Sequence, residues 1–147
     1  MKKLLPPFLF LLAILLLIGA RYVWPQSNLI PPPWHWLGLL LIVAGLVVGI
    51  PAANRFHRIG TNIRTFNEPG QLVTEGAFRY TRNPMYLGFS LMLLGLAIVF
   101  PILTSFIVVV AFVVITDRWY IRFEEAAMER KFGDAYREYK SRVRRWL

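Results

Sequence analysis

The sequence contains no cysteine, which excludes a disulfide framework, a thiolate nucleophile and any cysteine-based zinc or iron-sulfur site. Histidine is nearly as scarce, with His35 and His57 as the two representatives. No metal site is expected from such a set. Acidic side chains number 8 against 17 lysines and arginines, a net charge of +9. That excess would suit nucleic acid, but the placement of the charge points elsewhere. None of the long apolar stretches carries an ionisable residue away from its ends, and a proton-coupled transporter wants one there. What the chain has in abundance is apolar surface. At 56% hydrophobic residues over 147 positions, it is too apolar for a soluble domain and reads as a membrane protein.

Four apolar stretches stand out, at residues 4–23, 34–53, 84–100 and 105–120. A crossing takes about 20 residues, with about 17 as the lower limit, so the last two are short. A single kinked helix over 85–115 would instead give three spans. Basic charge separates the two topologies. With four spans, 16 of the 17 lysines and arginines share one side and Arg21 alone faces the other, as the positive-inside rule requires. Three spans would strand nine of them outside. The expectation is therefore an all-α, polytopic protein of the plasma membrane with both termini cytoplasmic. The segment "FPILTS" then forms a tight hairpin, with Thr104 or Ser105 capping the fourth helix. The first stretch resembles a signal peptide, but Ile18 stands where cleavage wants a small residue, so it is read as a retained span. Trp34 and Trp36 suit the interfacial aromatic belt, and His35 sits between them.

On the cytoplasmic side, the loop 55–82 is too long for a plain connector and reads as functional. "NEPG" at 67–70 is a turn. After the fourth span the helical pattern continues unbroken to Phe132. Gly133 fits a C-cap and Asp134 an N-cap, so 121–132 and 135–146 read as two helices. In the second, Tyr136, Tyr139, Val143 and Trp146 recur at intervals of three and four among arginines and lysines. That pattern is a basic amphipathic helix suited to an anionic leaflet.

The candidates for chemistry are few. Glu124 and Glu125 are adjacent, so on an α-helix they face about 100° apart. Glu124 falls in the stripe of Asp117, Tyr120 and Met128; Glu125 falls with Arg118, Arg122 and Glu129 in what reads as a compensating ion-pair row. Asn83 and Pro84 form a helix start, as N-cap and first helical residue. Such a start also offers free N–H groups to an anion, with Arg79 and Arg82 beside it.

The run "LVTEGAFRYTRNPMYLG", followed some distance on by "EEAAMERKFGDAYREYKSRVRRW", is similar to the isoprenylcysteine carboxyl methyltransferase family and its relatives, the phospholipid N-methyltransferases. The likeness covers residues 60–147 in order. It implies an integral membrane enzyme that uses S-adenosylmethionine and a lipophilic small-molecule or lipid acceptor, with no role for nucleic acid. By position, it implies cofactor contacts from Gln71, Leu72, Val73, Phe78, Asn83, Pro84, Met85, Tyr86 and Glu124. Arg82 at the helix start and Glu125 beside Glu124 complete the set. The family often has His at the position of Asn83, and an Arg at the position of Tyr120 that is expected to hold the acceptor. Tyr120, Arg118 and Arg122 are thus the candidates for contact with the acceptor. His57 is the histidine on this side able to act as a base. A carboxylate acceptor needs no base whereas an ammonium must first lose a proton, which favours carboxyl over amine methylation. The competing reading is a four-span membrane protein that kept the fold without the activity.

Overall fold

The computed structural model describes residues 5–23, 27–59 and 70–147. Helix α1 is Pro6–Val23, and a 3-10 turn, Trp34–Leu37, leads into α2, Gly38–Ile59. A second 3-10 turn, Gly76–Arg79, precedes α3, Pro84–Val99, and α4, Leu103–Ile115. From α4 the chain passes without interruption through a π-helical turn, Thr116–Ile121, into α5, Arg122–Arg142. The described residues contain no strand. Three helical stretches are long and apolar enough to cross a membrane, Pro6–Val23, Trp34–Arg55 and Leu103–Arg142; α3 is apolar but shorter.

Helix α3 is the axis of the molecule and packs against α1, α2 and α4. Its sequence is apolar on every side, as befits a helix covered all round. Leu93 and Ala97 on α3 are fully buried with Leu17 of α1 and Phe112 of α4, and Phe10 stacks on Phe89 at 4.5 Å between ring centres. The outer helices turn Leu11 and Leu15, Leu40 and Val47, and Ile107 and Val110 outward, an apolar belt that water would not tolerate over so wide an area. Helices α2 and α3 run antiparallel at backbone contact, Gly38 against Gly95 and Gly45 against Gly88.

The hairpin at "FPILTS" is present, but its expected cap is not. Helix α4 starts at Leu103 with Ile102 in the N-cap position and no side-chain cap. Ser105 lies inside the first turn and donates back to the Phe100 carbonyl at 2.8 Å. The segment before α2 closes over this end, Leu29 N–H donating to the Pro101 carbonyl at 2.6 Å. Trp34 and Trp36 are exposed, and His35 leans on Trp36. The turn expected at 67–70 and the side chain of His57 lie outside the described residues.

The chain after Gly133 differs from the expected membrane-surface helix. Gly133, at φ 51° and ψ −121°, is a non-helical kink that divides α5 into two helical parts, as expected of a C-cap glycine, and Asp134 pairs with Arg137. Tyr136 and Tyr139 are buried against the protein itself, Tyr139 donating to the Phe78 carbonyl at 2.7 Å. Burial pushes the Tyr139 hydroxyl up to about 12, against the opposing pull of Arg82, and raises Tyr136 as well. The helix stops at Arg142, and residues 143–147 peel away as an extended strap that folds onto the start of α3. The three-and-four spacing of Val143 and Trp146 mimicked a helix. The carbonyls freed at its end find partners more than fifty residues back, on Arg82 and Asn83.

Candidate functional site

The start of α3 is set by Pro84, which holds Asn83 out of the helical region at φ −131° and ψ 56°. Asn83 occupies the N-cap position, yet its side chain does not cap. Its Nδ2 instead donates to the Arg145 carbonyl at 3.0 Å, and its backbone N–H goes to Thr81 Oγ1 at 3.2 Å. Thr81 Oγ1 in turn donates to the same Arg145 carbonyl at 3.1 Å. Arg82 sends Nη1 to the carbonyls of Lys140 and Val143 and Nη2 to Glu125 Oε1 at 2.8 Å. The expected capping asparagine is therefore a bridge between the start of α3 and the strap.

The π-helical turn redirects the acidic pair. A π-turn adds one residue to the helical circuit, so everything after it lags by about one position against α-helical spacing. Glu125, not Glu124, thus falls into the stripe of Asp117. Both clasp Arg145: Nη2 reaches Glu125 Oε2 at 2.6 Å, and Nη1 reaches the Asp117 carboxylate at 3.2 Å. Trp146 Nε1 donates to Asp117 Oδ1 at 3.0 Å. The bond to Glu125 raises the Arg145 guanidinium above its ordinary value. The ion-pair row expected of Glu125, Arg118, Arg122 and Glu129 does not form. Glu129 pairs with Arg137 and Lys140, which lower its carboxyl below the ordinary range. Arg118 and Arg122 point to the exterior.

Glu124 faces α3, where the Tyr86 hydroxyl donates to its Oε1 at 2.7 Å. Tyr86, Tyr120 and Ile121 form one buried cluster, with Leu9, Phe89 and Trp146 packed around it. Tyr120 thus packs beside Tyr86, the residue that holds Glu124, whereas Arg118 and Arg122 are exposed away from this cluster. A second apolar wall joins Val73, Phe78, Ala52 and Met85. Pro84 is fully buried, Leu72 is half-buried and Gln71 is exposed. Between the end of α2 and the turn Gly76–Arg79 lies a cleft of ≈ 360 Å³, lined in part by Ala52, Arg55, Arg58 and Phe78. Arg55 pairs with Glu75 at its rim. No group of His, Asp and Glu able to hold a metal is found among the described residues.

Of the residues singled out in the sequence, Tyr86, Asn83, Arg82 and both glutamates lie together around the start of α3, whereas the network of Asp117, Arg145 and Trp146 was not foreseen. The signal present was charge: neither Arg145 nor Asp117 has a residue of opposite sign three or four positions away to pair with it.

The family model described as phospholipid methyltransferase matches residues 33–135, a segment that contains every candidate residue from Gln71 to Glu125 but not the strap. Protein-S-isoprenylcysteine O-methyltransferase A of Arabidopsis thaliana is 30% identical over 139 residues, 91% of this chain and 65% of that protein. The protein-S-isoprenylcysteine O-methyltransferase of Schizosaccharomyces pombe is 31% identical over 97 residues, 64% of this chain and 39% of that protein. An uncharacterized protein of Haemophilus influenzae is 40% identical over 63 residues, 43% of this chain and its own whole length. The chain therefore spans less than two thirds of each of the two named methyltransferases. No solved structure matches.

Proposed function

Because the chain belongs to the phospholipid methyltransferase family, we propose that it is an integral membrane enzyme that methylates a lipophilic acceptor from S-adenosylmethionine, a carboxylate in preference to an amine. In this reading α1, α2, α3 and α4 each cross the plasma membrane. The start of α3, the π-turn, α5 and the strap lie together at the cytoplasmic face, where a soluble donor and a lipid-borne acceptor can meet. The observation that carries it is the Tyr86–Glu124 hydrogen bond at 2.7 Å, which fixes a carboxylate at the point where α3 enters the apolar bundle.

The residues present suit such a donor. Glu124 can accept from a ribose diol, and charge-assisted bonds of this kind are the strong ones. Val73, Phe78 and Met85 offer an apolar wall to adenine. Bound S-adenosylmethionine supplies an electrophilic methyl group on a sulfonium. The protein's part is to align the acceptor in line with it and to keep water out. Tyr86 orients Glu124, while Tyr120, Ile121 and Phe89 form the dry floor on the lipid side. A carboxylate arrives there already ionised and requires no base. With a phenol at Tyr120 where the family often has Arg, and with Arg118 and Arg122 turned outward, hydrogen bonding takes the place of an ion pair in holding that carboxylate.

Purified protein in detergent is expected to bind S-adenosylmethionine, and membranes containing it to transfer a labelled methyl group to a prenylated acid. The product should release its label in mild alkali, as an ester does. Label stable to alkali would instead assign an amine acceptor, and no donor binding at all would sink the reading. The topology is tested separately. Sixteen of 17 basic residues fall on one side of a four-span arrangement, so reporters placed after Leu147 and within 26–29 are expected on opposite faces. The same face for both would remove a span.

A further inference from the structure

We infer that the strap, residues 143–147, sets the hydrogen-bonding polarity of the donor site through Asn83, and that Arg145 is the positioning residue that holds it in place. The inference rests on the donor reading above and adds which end of the donor meets α3.

An asparagine amide carries both a donor and an acceptor, and either can face a ligand. Here the choice is made by the strap. The Arg145 carbonyl can only accept, so the NH2 group of Asn83 must turn toward it, at 3.0 Å. The Asn83 Oδ1 is then left facing the other way, and it accepts no hydrogen bond among the described residues. Arg82, the neighbouring cation that would otherwise attract a carboxylate, is committed to Glu125 and to the carbonyls of Lys140 and Val143. Its Nε is buried out of reach. The side chains at the start of α3 therefore present an acceptor and a neutralised arginine, and they add no free cation to the backbone N–H groups of the helix start. They suit the α-ammonium of the donor's amino-acid end rather than its carboxylate.

The strap stays in place because of Arg145. Its guanidinium is gripped by Glu125 from α5 and Asp117 from the π-turn, and the Arg82 N–H seals the strap to α3 through the Arg144 carbonyl at 3.0 Å. Releasing the guanidinium frees the carbonyl that orients Asn83, and the amide can then rotate.

The test is a ratio of affinities, measured by titration calorimetry on the full chain in detergent. The probes are S-adenosylhomocysteine and its analogue lacking the α-amino group but keeping the carboxylate. The wild type is expected to prefer the amino-bearing probe by about tenfold or more, the value of one charge-assisted hydrogen bond. In Arg145→Gln the ratio should fall toward one, and in Arg145→Lys, which keeps the charge but not the fork, it should fall part of the way. Should Arg145→Gln fail to fold, Arg145→Lys carries the comparison alone. Loss of affinity for both probes alike leaves the ratio unchanged and overturns the positioning role. A wild-type ratio near one overturns the polarity. Failure of both probes to bind the wild type would overturn the donor reading and the polarity with it. Hydrogen exchange at the Arg82 amide, protected in the wild type and released in Arg145→Gln, reads the latch without any ligand, and equal protection in the two overturns the latch.

Discussion

Glu125→Ala is expected to lower stability by about 3 to 5 kcal/mol, the usual effect of stripping one partner from a buried ion pair. Glu124→Gln should leave stability nearly unchanged and weaken donor binding by about tenfold to a hundredfold. The two residues are neighbours in sequence, so the contrast depends wholly on where the π-turn aims them. Glu125 is 8% exposed and holds two arginines at 2.8 and 2.6 Å. Without it, Arg82 is left with its side chain 9% exposed and no carboxylate, and Arg145 keeps only one of the two carboxylates that grip it. Glu124 instead meets Tyr86 across the proposed donor site, and glutamine can still accept from that hydroxyl. Glutamine keeps the size of the side chain and removes the charge that makes the bond to a ribose hydroxyl strong. Chemical denaturation in detergent and donor titration on both variants separate the effects. Unfolding by Glu124→Gln with a silent Glu125→Ala would show the register after Ile121 to be that of an unbroken α-helix.

That register was the part of the site least legible in the sequence. Hydrophobic periodicity located α3 and α4, and Asn83-Pro84 fixed where α3 begins, because proline acts through local sterics that the chain states outright. The continuous helix from α4 into α5 was equally plain. A π-turn leaves no such mark. It differs from α-helix by a single extra residue, and within a run such as "TDRWYIRFEE" either spacing finds apolar residues for the buried face. Thr116 and Ile121 are both fully buried, five residues apart, a spacing that an α-helix places about 140° apart. The strap was illegible for a different reason. Its helical spacing is real, but Thr81, Arg82 and Asn83 compete for its carbonyls from about sixty residues away, and no local pattern records that competition. Asn83 holds the N-cap position as expected, but its side-chain cap is absent on the same ground: capping is local, and the bond to the Arg145 carbonyl is not.

The glycine seam between α2 and α3 could have been seen, since Gly38 and Gly45, and Gly88 and Gly95, each stand seven residues apart in apolar helices, a small-residue spacing that lets backbones touch in lipid. Gly88→Ala and Gly95→Ala are each expected to destabilise by about 1 to 3 kcal/mol, as overpacking does. A Cβ on Gly88 would lie 2.7 Å from the Gly45 carbonyl oxygen and 2.9 Å from Gly49 Cα, and one on Gly95 would lie 2.5 Å from the Gly38 oxygen. These obstacles are backbone, so the helices themselves must part. Gly49→Ala is the control: its Cβ would meet Gly88 Cα at 3.7 Å, ordinary contact, and alanine's helix preference should make it neutral or stabilising by about 0.5 to 1 kcal/mol. The two damaging variants should also differ from each other. Gly88 lies one turn from Pro84, and α2 at that level carries Ala52, which packs on Val73 and Phe78. Prising the helices apart there opens the proposed adenine wall. Gly95 lies at the far end, beside Gly38 and the Trp34–Leu37 turn. Matched losses of stability with a markedly larger loss of donor affinity in Gly88→Ala are therefore expected, from thermal denaturation and donor titration on the same preparations. Equal affinities would detach the donor site from the packing of α2 on α3.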